Sequence, residues 1–533
     1  MIRFFRRRPW AITSVAAPWG SRRSLYQHLL EQFEVDTGSP GRADVRLPDE
    51  DEVATSPGGL RWVAGGLDGA FGHHAGGDGP DNVAREVVEA LFALTREATD
   101  DRARALYTLV TAHAAIEFGD DLLVQLAEKP GLLHSRVHAI ARWLTIEAPH
   151  REAVKAGIIM LGAVSAGEDR QLLLTLGRHD EFTLFAAAAI QRTEMESEPL
   201  LWELARQVTG WGRIHLVERL ADTRDERIKS WLLREGCHND IMSEYTALVC
   251  AQTGDLCGAL RQPDPDEALM KGAGTILVAL IRGGPAAGME EYDDGPNAVQ
   301  MFLRHSRTRE ADLERLNVVA QLARFLQEQS ESPEPSSARW RASSAEMLAD
   351  VQAITARPDW LTRIHQGLSS SDQLLFATAA EAAGVLGVDT WDTYFERLLR
   401  GESQWFFVME TDNPVRVDKV IAAAEQLLPL SEIATGSADE LGIGPEYAAH
   451  TALTFVLQGL RRFPGKGWPL IRTGLQSPVT GNRNMAVRAL AAWDGNARPA
   501  EAGSLLRQAM QSEPSDHTRE LMRKVLDGEP LEV

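Results

Sequence analysis

Two stretches of this chain state the same pattern fifty residues apart: Leu122–Arg142 (LLVQLAEKPGLLHSRVHAIAR) and Leu172–Arg192 (LLLTLGRHDEFTLFAAAAIQR). Leu122/Leu172, Leu123/Leu173, Leu126/Leu176, Ala139/Ala189, Ile140/Ile190 and Arg142/Arg192 coincide, and Leu132/Phe182 and Val137/Ala187 stay apolar. Each copy reads as a short helix ending in Leu, a polar break, and a second helix with a small-residue face. Trp231–Val249 echoes it, with Ala247 on Ala188 and Val249 on Ile190. A fixed period in this range is the sequence signature of a stacked helical solenoid, because one such unit cannot bury its apolar face alone. The spacing therefore predicts an all-α fold of the α-solenoid type.

The helical period continues along the chain from Asp81. Val83, Val87 and Leu91 form one stripe, Leu313, Leu316, Val319, Ala320, Ala323 and Leu326 another, and Leu453, Val456, Leu457 and Leu460 a third. No alternating run is long enough for a sheet. Residues 1–80 read as an irregular N-terminal extension with a Gly-rich loop docked on the body through Leu60, Trp62, Val63, Leu67 and Phe71. Residues 81–328 read as a first helical array, the Ser/Pro segment 329–345 as a linker, and 346–533 as a second array.

Composition decides which partners to expect. With 55 basic against 76 acidic side chains the net charge is −21, and counterion release onto nucleic acid or an anionic membrane needs a basic face. No run of eighteen apolar residues is present, so no membrane span is expected. Met1–Arg8 is basic, but the following apolar stretch contains Pro9, Thr13 and Ser14 and lacks a clean core, so the cytoplasm is the expected location. Three cysteines, Cys237, Cys250 and Cys257, cannot frame a chain of 533 residues with disulfides and suit a reducing compartment. Only seven lysines among the basic residues, with abundant Ala and Gly, fit a high-GC bacterial genome.

Motifs for chemistry are sparse. His134 and His138 stand one helical turn apart, but the glutamate of HExxH is missing and no third zinc ligand is evident. Asp68, His73, His74 and Asp78 lack a recognised metal spacing, and Cys237, His238, Cys250 and Cys257 are too loosely placed for a zinc finger. Gly465-Lys466-Gly467 lacks the glycine spacing and the Ser/Thr of a phosphate loop, and no GxSxG elbow occurs. Neither a metal nor a cofactor is expected.

The paired helices, their Ala-rich second members and Leu470–Trp493 (LIRTGLQSPVTGNRNMAVRALAAW) resemble HEAT-like or armadillo-like repeats over roughly Asp81–Asp527. The unequal spacing of the units departs from a consensus array. That resemblance implies a curved, protein-binding surface. Leu427–Trp493, with LLPLSEIATGSADELGIG and GNRNMAVRALAAW, is also similar to a group of bacterial helical proteins labelled limonene hydroxylase. This second resemblance implies a terpene-oxidising enzyme, although the chain has no GxGxxG after a strand and no recognisable haem-ligand segment.

The richest loops lie within Trp405–Asn484. Successive solenoid loops emerge on one edge, so Glu410, Asp412 and Arg416, then Asp439 and Glu440, then Arg483 and Asn484 are expected to converge into a binding edge. Asp439, Glu440 and Arg483 are expected to face solvent. The expected function is a non-enzymatic, protein-binding scaffold. An enzyme with a helical pocket for a small hydrophobic molecule, using these Trp405–Asn484 loops, is the alternative; an open groove would favour the first and a closed apolar pocket the second.

Overall fold

The computed structural model describes residues 10–35, 45–52, 62–74, 82–493 and 498–531. The described residues form thirty α-helices and no strand. The chain divides into two compact units, Met1–Arg357 and Pro358–Val533.

In the first unit several helices begin where a side chain satisfies an orphan backbone N–H. Thr99 accepts the Arg102 N–H ahead of Asp100–Ala112, Asp266 accepts that of Leu269 ahead of Glu267–Arg282, and Asp312 that of Arg315 ahead of Leu313–Glu331. Between caps, apolar stripes bury. Val87, Val88, Leu91 and Leu94 of Val83–Arg96 have almost no exposed surface, which at roughly 25 cal/mol per Å² of apolar area is the main force holding such a helix in place.

One series of helices in this unit packs in a regular order. Val83–Arg96 lies on Ala115–Glu128, which lies on Arg151–Val164, then Asp180–Thr193, Trp211–Arg219, Glu244–Thr253, Glu267–Arg282, Leu313–Glu331 and Ser344–Thr355, each packed on the next. Intervening helices flank that series; His134–Glu147, for example, packs on Arg151–Val164. Gly272 permits one of the closest approaches, since a Cβ there would sit 1.9 Å from the Leu233 carbonyl oxygen in the π-helical turn Leu232–Gly236.

The fifty-residue echo is not the step of this series. Its second halves are His134–Glu147, a flanking helix, and Asp180–Thr193, a member of the series. Both need small residues against a neighbour, so the two positions share a pattern without sharing a place.

The Ser/Pro segment 329–345 is folded. Leu313–Glu331 runs into it, and a 3-10 turn at Pro335–Ser337 and the short helix Ala338–Arg341 follow. Trp340 is buried, edge-on to Phe325 with ring centroids 4.8 Å apart, and Arg339 donates to the carbonyls of Met289, Glu290 and Tyr292. Its polar composition hides one aromatic anchor.

Two pieces of the N-terminal region meet this unit through buried charge. Arg151 forms a bidentate pair with Asp49 and reaches Glu50 at 2.6 Å. Lys155 is fully enclosed by Asp68 at 2.7 Å, Glu181 at 2.7 Å and Glu152 at 3.0 Å. Asp68 belongs to Gly66–His74, a helix in a stretch expected to be loop. Gly69 brings that helix against Trp211, whose ring atoms would lie 2.3 Å from any added Cβ. Asp78, Leu60 and Met1–Arg8 fall outside the described residues.

The second unit is built on its own apolar core, from Trp391 through Val417, Leu457, Leu470 and Leu490 to Val525. Trp405–Met409 packs on Ala448–Leu460, that helix on Thr480–Ala491, and that in turn on Asp516–Asp527.

Candidate functional site

An opening in the second unit runs across the first three of these helices. It is a groove of about 620 Å³. Its floor and walls come from Phe406, Met409 and Glu410 of the first segment and from Phe455, Gln458, Gly459, Arg461 and Arg462 of the second. Arg488 and Ala491 come from the third, and Pro530 and Leu531 from beyond the last helix. The helical period explains the second set. Leu453, Val456, Leu457 and Leu460 point into the core, which leaves Phe455, Gln458, Gly459 and Arg462 on the opposite stripe, at i, i+3, i+4 and i+7. Gly459 must lack a side chain, because a Cβ there would meet Met409 Cβ at 3.0 Å and Met409 Cε at 2.4 Å.

Aromatic rings line one end. Phe406 meets Phe455 edge-on at 5.6 Å, and the adjacent Phe407 stacks on Tyr394 at 4.6 Å. Phe406 and Phe407 are 42% and 45% exposed, unusual for rings of this size on adjacent residues. Arg462 donates to the Met409 carbonyl and pairs with Asp412 at 3.2 Å, which fixes the guanidinium at the rim.

The residues expected to converge divide into separate places. Glu410 lines the groove and Asp412 reaches its rim through Arg462. Arg416 lies over the Trp391 ring at 4.8 Å and pairs with Asp389. Asp439 is exposed, and Glu440 makes a backbone bridge with Val479 in which the Thr480 N–H donates to the Glu440 carbonyl at 3.1 Å. Glu440 and Val479 are thus joined main chain to main chain.

Arg483 corrects the expectation of a solvent-facing group. It lies in the helix Thr480–Ala491 with no exposed surface. Its guanidinium donates to Glu513 at 2.6 and 2.7 Å and to the carbonyls of Ser477 and Pro478 at 2.8 Å each. Asn484, half-buried in the same turn, accepts from the Thr518 hydroxyl at 2.8 Å. Both tie the Thr480 helix to the segment that follows it. Beside them Asn482 is buried among Thr454, Ser477 and His450, whose imidazole is pushed toward its neutral form by burial.

Sequence reasoning passed over Phe406, Phe455, Arg461 and Arg488. The signals are the run Trp405-Phe406-Phe407 and the doublet Arg461-Arg462, both outside the polar loops.

Titratable groups elsewhere give two further clusters. His138 Nε2 is 2.6 Å from Asp169 Oδ2 and 3.3 Å from Glu168 Oε1, while Arg142 holds the other Asp169 oxygen. These three groups lie close enough to share a cation, and His134 is not among them. Their carboxylates already have cationic or imidazole partners, which accounts for the cluster as an ion-pair knot. Around Lys155, burial pushes the Asp68 carboxyl up to about 6 despite the neighbouring ammonium. Glu181 feels both Lys155 and Arg151 and is held down to about 2 in spite of its burial. The Cys237, Cys250 and Cys257 thiols are free and buried, and burial raises the Cys250 thiol well above its ordinary range, which leaves it a poor nucleophile.

No protein-family model matches the chain, and comparison with curated proteins finds no match. No described helix is long and apolar enough to cross a membrane.

Proposed function

We propose that this chain is a non-enzymatic, protein-binding scaffold built from HEAT-like or armadillo-like stacked helices, and that the groove of its second unit is where it holds a partner. The carrying observation is the groove itself: it is open, it spans three helices and the segment after the last helix, and it presents the exposed Phe406 ring among arginines. Interface hot spots have that composition, with aromatic and arginine side chains set in a recess. The next-but-one packing of helices in the first unit supports the stacked-repeat part of the reading. Location in the cytoplasm is part of the same proposal and rests on the reduced cysteines.

The test is co-purification from the native host with the full chain, comparing wild type with Phe406→Ser and Phe407→Ser together. A partner retained by wild type and lost by the double variant, with helicity unchanged, supports the scaffold. No retained protein for either form sinks it.

A second reading is favoured by a different observation in the first unit. A narrower pocket of about 190 Å³ is lined by Ile116, Leu123, Ile159 and Phe185, with Arg192 and Arg219 beside it. That volume is below the roughly 300–1,000 Å³ of ordinary ligand pockets and leaves room only for a small molecule, so the alternative, an enzyme acting on a small apolar molecule, would place its substrate there.

A further inference from the structure

The groove is cationic out of proportion to the chain that carries it. The sequence holds 55 basic against 76 acidic side chains, yet the groove gathers Arg461, Arg462 and Arg488 around one lining carboxylate, Glu410. Asp412 balances Arg462 from the rim. Arg461 is half-buried, and its side chain makes no hydrogen bond or ion pair with any other described residue. Between these cations lie Phe406, Phe455 and Ala491. An apolar floor with cationic walls complements a ligand that alternates anionic and apolar groups.

The chain itself supplies a second observation about the class of ligand. Pro530 and Leu531 lie against the groove, and Leu531 packs half-buried on the core of the unit. In the sequence Leu531 stands between Glu529 and Glu532. An apolar side chain from an acidic stretch of sequence thus already seats along one edge, while Glu529 pairs with Arg523 at 3.2 Å, outside the groove lining.

We propose that the groove docks an acidic peptide segment of a partner protein, one in which carboxylates flank an aromatic or branched apolar side chain. This rests on the scaffold reading. Guanidinium–carboxylate contacts are charge-assisted and directional, so they would fix the register, while the apolar side chain fills the recess between Phe406 and Phe455. The charge of the whole molecule sharpens the choice. A net charge of −21 repels an acidic segment from most of the surface, which leaves the arginine-lined groove as the favourable landing place.

The experiment is fluorescence anisotropy on the full chain with a fluorescein-labelled octapeptide, Glu-Asp-Phe-Glu-Glu-Leu-Asp-Glu, and the same peptide with Lys at every acidic position. The acidic peptide is expected to bind and the basic one not. Arg461→Glu should weaken binding by about tenfold or more, and Arg461→Lys much less, because a groove charge acts through electrostatic complementarity. Added salt should weaken the wild-type complex. Arg461 has no described partner to lose, so circular dichroism of both variants should match wild type. Equal binding by wild type and Arg461→Glu would overturn the proposal, as would equal binding of the basic peptide. An oligothymidylate of matching charge bound as tightly as the acidic peptide would also overturn it, because the apolar anchor would then be irrelevant. If wild type and Arg461→Glu retain the same host partner in co-purification, the groove assignment fails while the scaffold reading stands.

Discussion

Arg483 and Asp439 were equivalent on paper, each a charged residue in a polar stretch flanked by glycine. In the structure they are opposites. Arg483 is sealed against Glu513 with neither side chain exposed, and its remaining donors go to the carbonyls of Ser477 and Pro478. Removing one member of such a pair strands the other charge away from water, which typically costs about 3–5 kcal/mol. Arg483→Ala should therefore lower the melting temperature sharply, whereas Asp439→Lys, at an exposed position, should move stability by less than about 0.5 kcal/mol. Thermal melts of the two variants, followed by circular dichroism, decide the matter. Equal melting temperatures would mean that Glu513 finds another partner. No periodic signal distinguishes the two residues in the sequence, because a buried arginine is defined by a carboxylate thirty positions away.

At the scale of the element, the helices were legible and their order of packing was not. Stripes such as Val83, Val87 and Leu91 mark a helix because a 3.6-residue period leaves one apolar face, and all three are buried. The same stripe does not say which neighbour covers it, so the repeat that joined His134–Glu147 to Asp180–Thr193 merged a flanking helix with a member of the packed series. The groove was illegible for a related reason. Its central residues are the complement of the core stripe on Ala448–Leu460, and no polar loop marks them. Gly66–His74 was missed because five of its neighbours are glycines or small polar residues; what holds it is the Asp68 carboxylate buried on Lys155 together with the close approach of Gly69 to Trp211. That anchor has a testable pH signature. Burial raises Asp68 from its ordinary 3.8 to about 6, so the folded state binds its proton more tightly than the unfolded chain does. Its contribution to stability is full below about pH 4 and is lost as pH rises through about 6. Glu181, on the other side of Lys155 and held down to about 2, acts in the opposite sense and only in stronger acid. Glu152 and Arg151 complete the charged surroundings. Asp180, also raised to about 6 by burial, leaves a slope of its own. Asp68→Asn should therefore flatten, without abolishing, the fall in melting temperature between about pH 4 and pH 6. An unchanged slope would show that Asp68 does not titrate in that window.

At the scale of the whole molecule, the division after Arg357 raises the question of whether the unit with the groove stands alone. Its apolar core runs from Trp391 to Val525 without borrowing a residue from the other unit. The groove walls are tied together inside it, through Arg462 on Met409 and Asp412, Lys466 on Asp418, and Arg483 on Glu513. The length of Pro358–Val533 falls within the range in which single domains bury enough surface to fold by themselves. Composition alone pointed to a boundary earlier, at the Ser/Pro stretch, because a polar run resembles a linker whether or not one tryptophan fastens it down. Trp340 does so here, and it fastens that stretch to the first unit. A fragment comprising residues 358–533 is therefore expected to be predominantly helical by circular dichroism and to melt in one cooperative step. Arg483→Ala should lower that step as it lowers the melt of the full chain, since every partner of Arg483 is present in the fragment. Loss of helicity in the fragment would mean that its core closes only in the presence of the first unit, and the groove would then have to be treated as a property of the entire chain.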